Sequence, residues 1–375
     1  VKRGLLIGPL LSLFAVAALA QEDPAFVAKR AAGQLEAAQN ALFLAERSTD
    51  RVAALTQTIR AYEEGLKALR EGIRRAAIRE TALAAKFEAE RDQLARLLGV
   101  LQAIEGAPAP LLLLHPSGPI GTARSGMIAS DVVPALQAEA ATLRIELEEM
   151  ALMRAIQESA EAQLADGLRG VQEARTALSA AMSNRVDLPR RLLDDPDAMS
   201  ALLSSADTLR AFAAGIQEMK ITGADAPLHI GQARGALPLP VAGTVLRRFQ
   251  ERDAAGIARP GLVIAAEPRA LVTTPWPATI RYRGPLLDYG NVMVLEPGDG
   301  YLLVLAGLNE VYGETGEVLP QGAPVGLMGG TAPDARLIFT ASSEGAGIEK
   351  TETLYMELRQ GDAPVDPGIW FAFDG

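Results

Sequence analysis

The sequence predicts a multidomain α + β chain in which a long antiparallel coiled-coil hairpin precedes an intervening helix and a C-terminal all-β domain. Three observations carry this. Breaker-poor stretches with apolar residues at alternating spacings of three and four fill most of the first half. Short apolar runs bounded by Gly or Pro fill the chain from Val241 onward. At 375 residues there is room for two or three domains of about 100–200 residues each.

Residues 1–20 read as a signal peptide. Lys2 and Arg3 are followed by an apolar run from Leu5 to Ala17 and by Ala18-Leu19-Ala20, so cleavage is expected after Ala20. The alternative is an uncleaved anchor, although the run is short of the roughly 20 residues a spanning helix needs. The chain has no cysteine, which excludes disulfides and thiolate metal sites. Its formal charge is −10 with no basic block, which argues against nucleic acid as a partner.

Residues 21–186 form the expected hairpin, with its tip at about 106–130. From Asp23 to Ile104 a seam runs through Val52, Leu55, Ile59, Tyr62, Leu66, Leu69 and Ile73 toward Leu101, interrupted by Glu80 and Glu90. Upstream, Leu35, Ala38, Leu42 and Ala45 keep the spacing in a shifted register. The stretch GAPAPLLLLHPSGPIGTARSG breaks the helix. A second helix is expected from Asp131 as N-cap, with Pro134 in its first turn, carrying Leu143, Leu147, Met150, Ala160, Leu164, Val171 and Leu178. An antiparallel hairpin explains the elaborate break better than a parallel dimer. The apolar tip residues Leu111, Leu112, Leu113 and Leu114 either dock a partner or pack on the helix ends.

Residues 187–220 contain a helix from Asp197 to Met219, and 221–237 read as a linker. Residues 238–375 are the β-domain, with runs such as GTVLRRF, GLVIAA, NVMVLEP, YLLVLAG and LIFTASS.

The ordered pieces PLPVAGTVLRRF, RPGLVIAAEPRALVTTPWPATIRYRG, YGNVMVLEPGDGYLLVLAGL, GETGEVLPQGAPVGLMGG and TLYMELRQGDAPVDPGIWF resemble the LytM-type, lysostaphin-like metallopeptidases, a duplicated hybrid motif fold. Enzymes of that family hold zinc with a histidine and an aspartate of H-x-G-x-D and with a histidine of a terminal H-x-H strand. Neutral imidazole and carboxylate suit zinc, which lowers the pKa of its bound water to about 7. By this resemblance the first histidine falls on Arg259 and the aspartate on Val263, with Gly261 retained between them. The H-x-H pair falls on Thr353 and Tyr355, and a middle-strand histidine on Gly307. The chain's two histidines, His115 and His229, lie outside the β-domain. The expectation is therefore no catalytic residue, no metal and no cofactor.

The whole arrangement resembles the EnvC-type periplasmic murein hydrolase activators. That resemblance implies a periplasmic location, a zinc-dependent N-acetylmuramoyl-L-alanine amidase as partner, an FtsEX-type ABC complex at the membrane, and peptidoglycan as a further surface. It implies that Arg259, Val263, Thr353 and Tyr355 line an amidase-binding groove, although Val263 and Tyr355 could equally be core packing. Leu202, Leu209, Phe212 and Ile216 would face a restraining helix onto the groove, or merely bridge two domains. Leu111 to Leu114 would dock the membrane partner. The rival readings are a periplasmic adaptor, which would place a β half-motif before the hairpin where none is seen, and a structural cell-wall-binding protein. An active endopeptidase is excluded by the histidine count.

Overall fold

A computed structural model describes residues 24–45, 48–89, 91–92, 95, 99, 118–183, 192–193, 196–206, 208–218, 221–222, 230–252, 256–332, 334–344 and 352–372. The expected signal peptide, the tip residues Leu111 to Leu114, and His115 and His229 lie outside them.

Three helices make the N-terminal region: α1 (Pro24–Leu44), α2 (Ser48–Ala89) and α3 (Gly118–Ser183). The first corrects the unbroken helix expected from Asp23. The chain turns after Leu44 and α1 lies back along α2, with Arg30 paired to Glu64 at 3.0 Å. The shifted register of Leu35, Ala38 and Leu42 is the trace of that turn, and Asp50 begins α2 with a carboxylate at the positive end of its dipole. Helices α2 and α3 run antiparallel, joined by Glu63 with Arg175, Arg79 with Glu149 and Glu80 with Arg154. Between them Val52, Leu55, Ile59, Leu66 and Ile73 bury against Ala160, Leu164, Val171 and Leu178. Leu147, counted into this seam, is instead 50% exposed.

Helix α3 begins at Gly118, not at Asp131. Pro134 therefore lies inside it, because proline forfeits one backbone hydrogen bond while its φ stays helical, and a long helix can span it.

The helix expected from Asp197 to Met219 is two helices, α4 (Pro196–Ser205) and α5 (Leu209–Glu218). The Ala206 amide closes the first on the Leu202 carbonyl at 2.9 Å, and the Thr208 hydroxyl accepts from the Ala211 amide at 3.1 Å, capping the second. Strands β1 (Leu192–Leu193) and β2 (Ile221–Thr222) pair antiparallel and tie the ends of this excursion together.

The β-domain contains β3 (Gly243–Arg247), β4 (Leu262–Ala266), β5 (Leu271–Thr273), β6 (Ala278–Pro285), β7 (Asn291–Gly298), β8 (Tyr301–Val311), β9 (Val318–Leu319), β10 (Pro324–Met328), β11 (Glu352–Gln360) and β12 (Ala363–Val365). Their ladders are antiparallel, in the order β3-β4-β11-β8-β7-β6-β9, with β10 joining β8 to β5 and β12 on β11. Leu262, Ile264, Met293, Leu303, Leu305, Met356 and Leu358 fill one core. Residues one step along these strands, among them Val292, Val294, Leu302, Val304 and Ala306, point to the opposite face, where Leu209, Phe212, Ala213 and Ile216 of α5 cover them. Residues 230–237, expected as linker, belong to this domain: Ile230, Ala233 and Leu237 enter the first core, and the Leu237 amide donates to the Trp370 carbonyl at 3.1 Å. The run LIFTASS, expected as a strand, lies in helix α6 (Ala335–Ser343), capped by the Asp334 carboxylate accepting from the Arg336 amide at 2.7 Å.

The helices dock on this domain through Leu271, Tyr312, Leu327 and Ile338, which share the seam's core. The Glu63 carboxylate accepts from Arg175 at 2.8 Å and from the Leu271 amide at 3.1 Å. Burial pushes Glu63 above the usual carboxylate range, while Arg175 pulls it back. The Tyr312 hydroxyl meets that of Ser179 at 2.9 Å, and burial pushes the phenol up to about 12. An unfolded chain loses this proton near pH 10. The stability held by the neutral phenol is thus whole below about pH 10 and lost as pH rises through about 12. An alkaline denaturation series should show about 2–3 kcal/mol disappearing across that window, and Tyr312→Phe should flatten the slope.

Candidate functional site

Antiparallel partners project side chains from the same face of a sheet, so register alone assembles the site. Tyr355 of β11 lies opposite Val263 of β4 and opposite Ala306 of β8, placing the three in one row across three strands. Thr353 stands two residues before Tyr355 on that face, and Arg259 approaches from the connection into β4. With Leu246 and Arg247 from the end of β3, Tyr289 from the short turn Leu287–Tyr289, and Gly307, these residues line a cleft of ≈ 410 Å³.

Two glycines let the backbones close around it. A Cβ on Gly307, whose φ is +95°, would stand 2.7 Å from the Thr353 carbonyl oxygen. On Gly261 it would meet the Met356 carbonyl at 2.5 Å and the Tyr355 ring at 2.8 Å.

The four residues read from the sequence, Arg259, Val263, Thr353 and Tyr355, are thus brought together, and Gly307 joins them. Leu246, Arg247, Tyr289 and Ala306 were missed. The alternation of β8 and β11 could have found Ala306, but nothing in the sequence ties Tyr289, in a turn between distant strands, to this cleft.

Tyr355 is fixed by a chain of charge along its own strand. Its hydroxyl donates to Glu357 at 2.7 Å, Glu357 accepts from Arg359 at 2.6 Å, and Arg359 also donates to the Asp362 carbonyl. Burial and the Glu357 carboxylate push the phenol far above its ordinary value, against the opposing pull of Arg259. Tyr355 is therefore a neutral donor already engaged. Arg259 is exposed and, among the described residues, pairs with no carboxylate. Such a set of guanidinium, hydroxyl and apolar floor can bind, but it offers no base near neutral pH to activate water or the Thr353 hydroxyl.

The sequence-read helix residues meet the same sheet face beside the cleft. Leu209, Phe212 and Ile216 are buried, Leu202 is half-buried, and Tyr289 and Tyr355 flank their cluster. The Phe212 ring meets Tyr282 edge-on at 4.7 Å. Arg281 donates to the Ile216 carbonyl at 2.7 Å and pairs with Glu296 at 3.0 Å, fixing the last turn of α5.

Residues 258–367 match the model of Peptidase family M23, so a LytM-type domain lies there. Over 155 residues the chain is 26% identical to the uncharacterized protein NMB1333 of Neisseria meningitidis serogroup B, covering 41% of this chain and 23% of that protein. Among solved structures, Csd3 of Helicobacter pylori is 18% identical with a TM-score of 0.28, covering 37% of this chain and 35% of that one. A peptidase M23 structure from Pseudomonas aeruginosa is 17% identical with a TM-score of 0.32, covering 47% of this chain and 62% of that one. The chain thus spans less than two-thirds of each.

The zinc that such a fold implies does not fit the donors present. Arg259 would repel the ion, Val263 and Gly307 offer no donor, and Thr353 and Tyr355 offer only neutral hydroxyls, that of Tyr355 already given to Glu357. After zinc loading and desalting, atomic absorption should find far less than one zinc per chain. Combining Arg259→His, Val263→Asp, Thr353→His and Tyr355→His should raise it toward one.

Proposed function

We propose that the chain is a non-catalytic activator of zinc-dependent N-acetylmuramoyl-L-alanine amidases, acting in septal peptidoglycan splitting. The observation that carries this reading is a cleft that keeps an open form while Arg259, Val263, Thr353 and Tyr355 stand where zinc-site residues would. A surface that retains shape without chemistry is suited to receive another protein.

In this reading the chain is exported to the periplasm by residues 1–20. Helices α2 and α3 act as a coiled-coil hairpin whose apolar tip, Leu111 to Leu114, engages an FtsEX-type ABC complex. The α4–α5 excursion is the restraint: Leu202, Leu209, Phe212 and Ile216 hold it against the sheet beside Tyr289 and Tyr355. Displacing the hairpin would shift the population toward a lifted excursion and a wider cleft. Peptidoglycan is a further surface for the activator.

The test mixes the chain with a periplasmic amidase and measures dye release from labelled peptidoglycan. Release in the mixture but from neither protein alone is expected, and release by this chain alone would contradict the reading. Phe212→Ala should remove about 3–5 kcal/mol of packing from the docked excursion. It should raise stimulation above wild type, and unchanged stimulation would remove α5 from the role of restraint.

A further inference from the structure

The cleft is cationic on an acidic protein. Arg259 reaches its rim without a carboxylate partner among the described residues, on a chain of net charge −10. Leaving a guanidinium unpaired beside a half-buried phenol and an apolar floor is favourable only while water can reach it. Covering the cleft would require an anion at that point.

The floor indicates what kind of molecule brings the anion. Val263, Ala306 and the tyrosine side chains supply mostly apolar surface, and no Asp, Glu, Asn or Gln lines the cleft to bind the hydroxyls of a sugar. The same sheet face already carries one helix. Phe212 and Ile216 of α5 enter the sheet as apolar anchors, and a guanidinium, Arg281, holds the end of that helix through the Ile216 carbonyl. The cleft alongside repeats that chemistry, with apolar floor, aromatic wall and a guanidinium at the rim, and lacks only the second helix. Helix-in-groove recognition is read through apolar anchors spaced three and four residues apart.

We infer that the cleft receives an acidic amphipathic helix of a partner protein, whose apolar residues cover Val263, Ala306 and Tyr289 while a carboxylate pairs with Arg259. This deepens the activator reading, and rests on it only in taking the amidase as the source of the helix.

The test uses the full chain and three labelled helical peptides that share leucines at spacings of three and four and differ in carrying Glu, Gln or Lys along one flank. Fluorescence anisotropy should show the Glu peptide binding about tenfold tighter than the Gln peptide, and the Lys peptide weaker still. Arg259→Glu should abolish the preference and Arg259→Lys should keep most of it. Arg259 is exposed, so neither change threatens the core. Equal binding of Glu and Gln peptides, no binding of any, or a preference that survives Arg259→Glu would overturn the inference. So would Arg259-dependent binding to purified peptidoglycan without preference among the peptides. Amidase stimulation measured alongside separates the two claims. Charge-selective binding without stimulation leaves the inference standing and removes the activator reading, and stimulation insensitive to Arg259→Glu does the reverse.

Discussion

The buried pair of Glu357 and Arg359 is the interaction on which the site depends. Both side chains lie on the face of β11 that the rest of the fold covers, with exposures of 5% and 1%. Two charges taken out of water are tolerated only when their remaining bonds are met, and removing one partner of such a pair costs about 3–5 kcal/mol. Here the Tyr355 hydroxyl and the Asp362 carbonyl complete the set. One result is that Tyr355 cannot swing away from its row with Val263 and Ala306. Another is that β11, paired to β4 and β8 along its sides, cannot slip by one residue without carrying both charges into the opposite apolar core.

The cleft was legible because strands have a period of two. Once Thr353 and Tyr355 were taken as one face of a strand, their partners followed from antiparallel register, and the sequence contains only two histidines to offer as ligands. What failed were boundaries decided by neighbours far along the chain. The turn after Leu44 was visible only as a register shift, because Arg47 to Asp50 is polar enough either to cap a helix or to lie on its solvated side. The LIFTASS run is apolar and β-branched in part, yet Asp334 caps it and Ile338 buries it among the long helices, so tertiary packing decides its state. The start of α3 was misjudged because Pro134 was taken as a beginning rather than as an interior residue.

Helix α6 also joins the two halves of the molecule. It leaves β10, rests on α2 and α3, and leads back into β11, the strand that carries Thr353 and Tyr355. The long helices therefore touch the β-domain both through Glu63, Arg175 and the Leu271 amide and through a segment inserted directly before the cleft strand. A displacement of the helical region has a covalent route to the cleft as well as the route through α4 and α5.

Amide hydrogen exchange of the full chain, alone and with a periplasmic amidase, tests most directly whether the cleft is a receptor. The account predicts new protection at 259–263, 287–289 and 353–355, together with loss of protection in α5. Protection confined to the long helices, with the cleft segments unchanged, would contradict it.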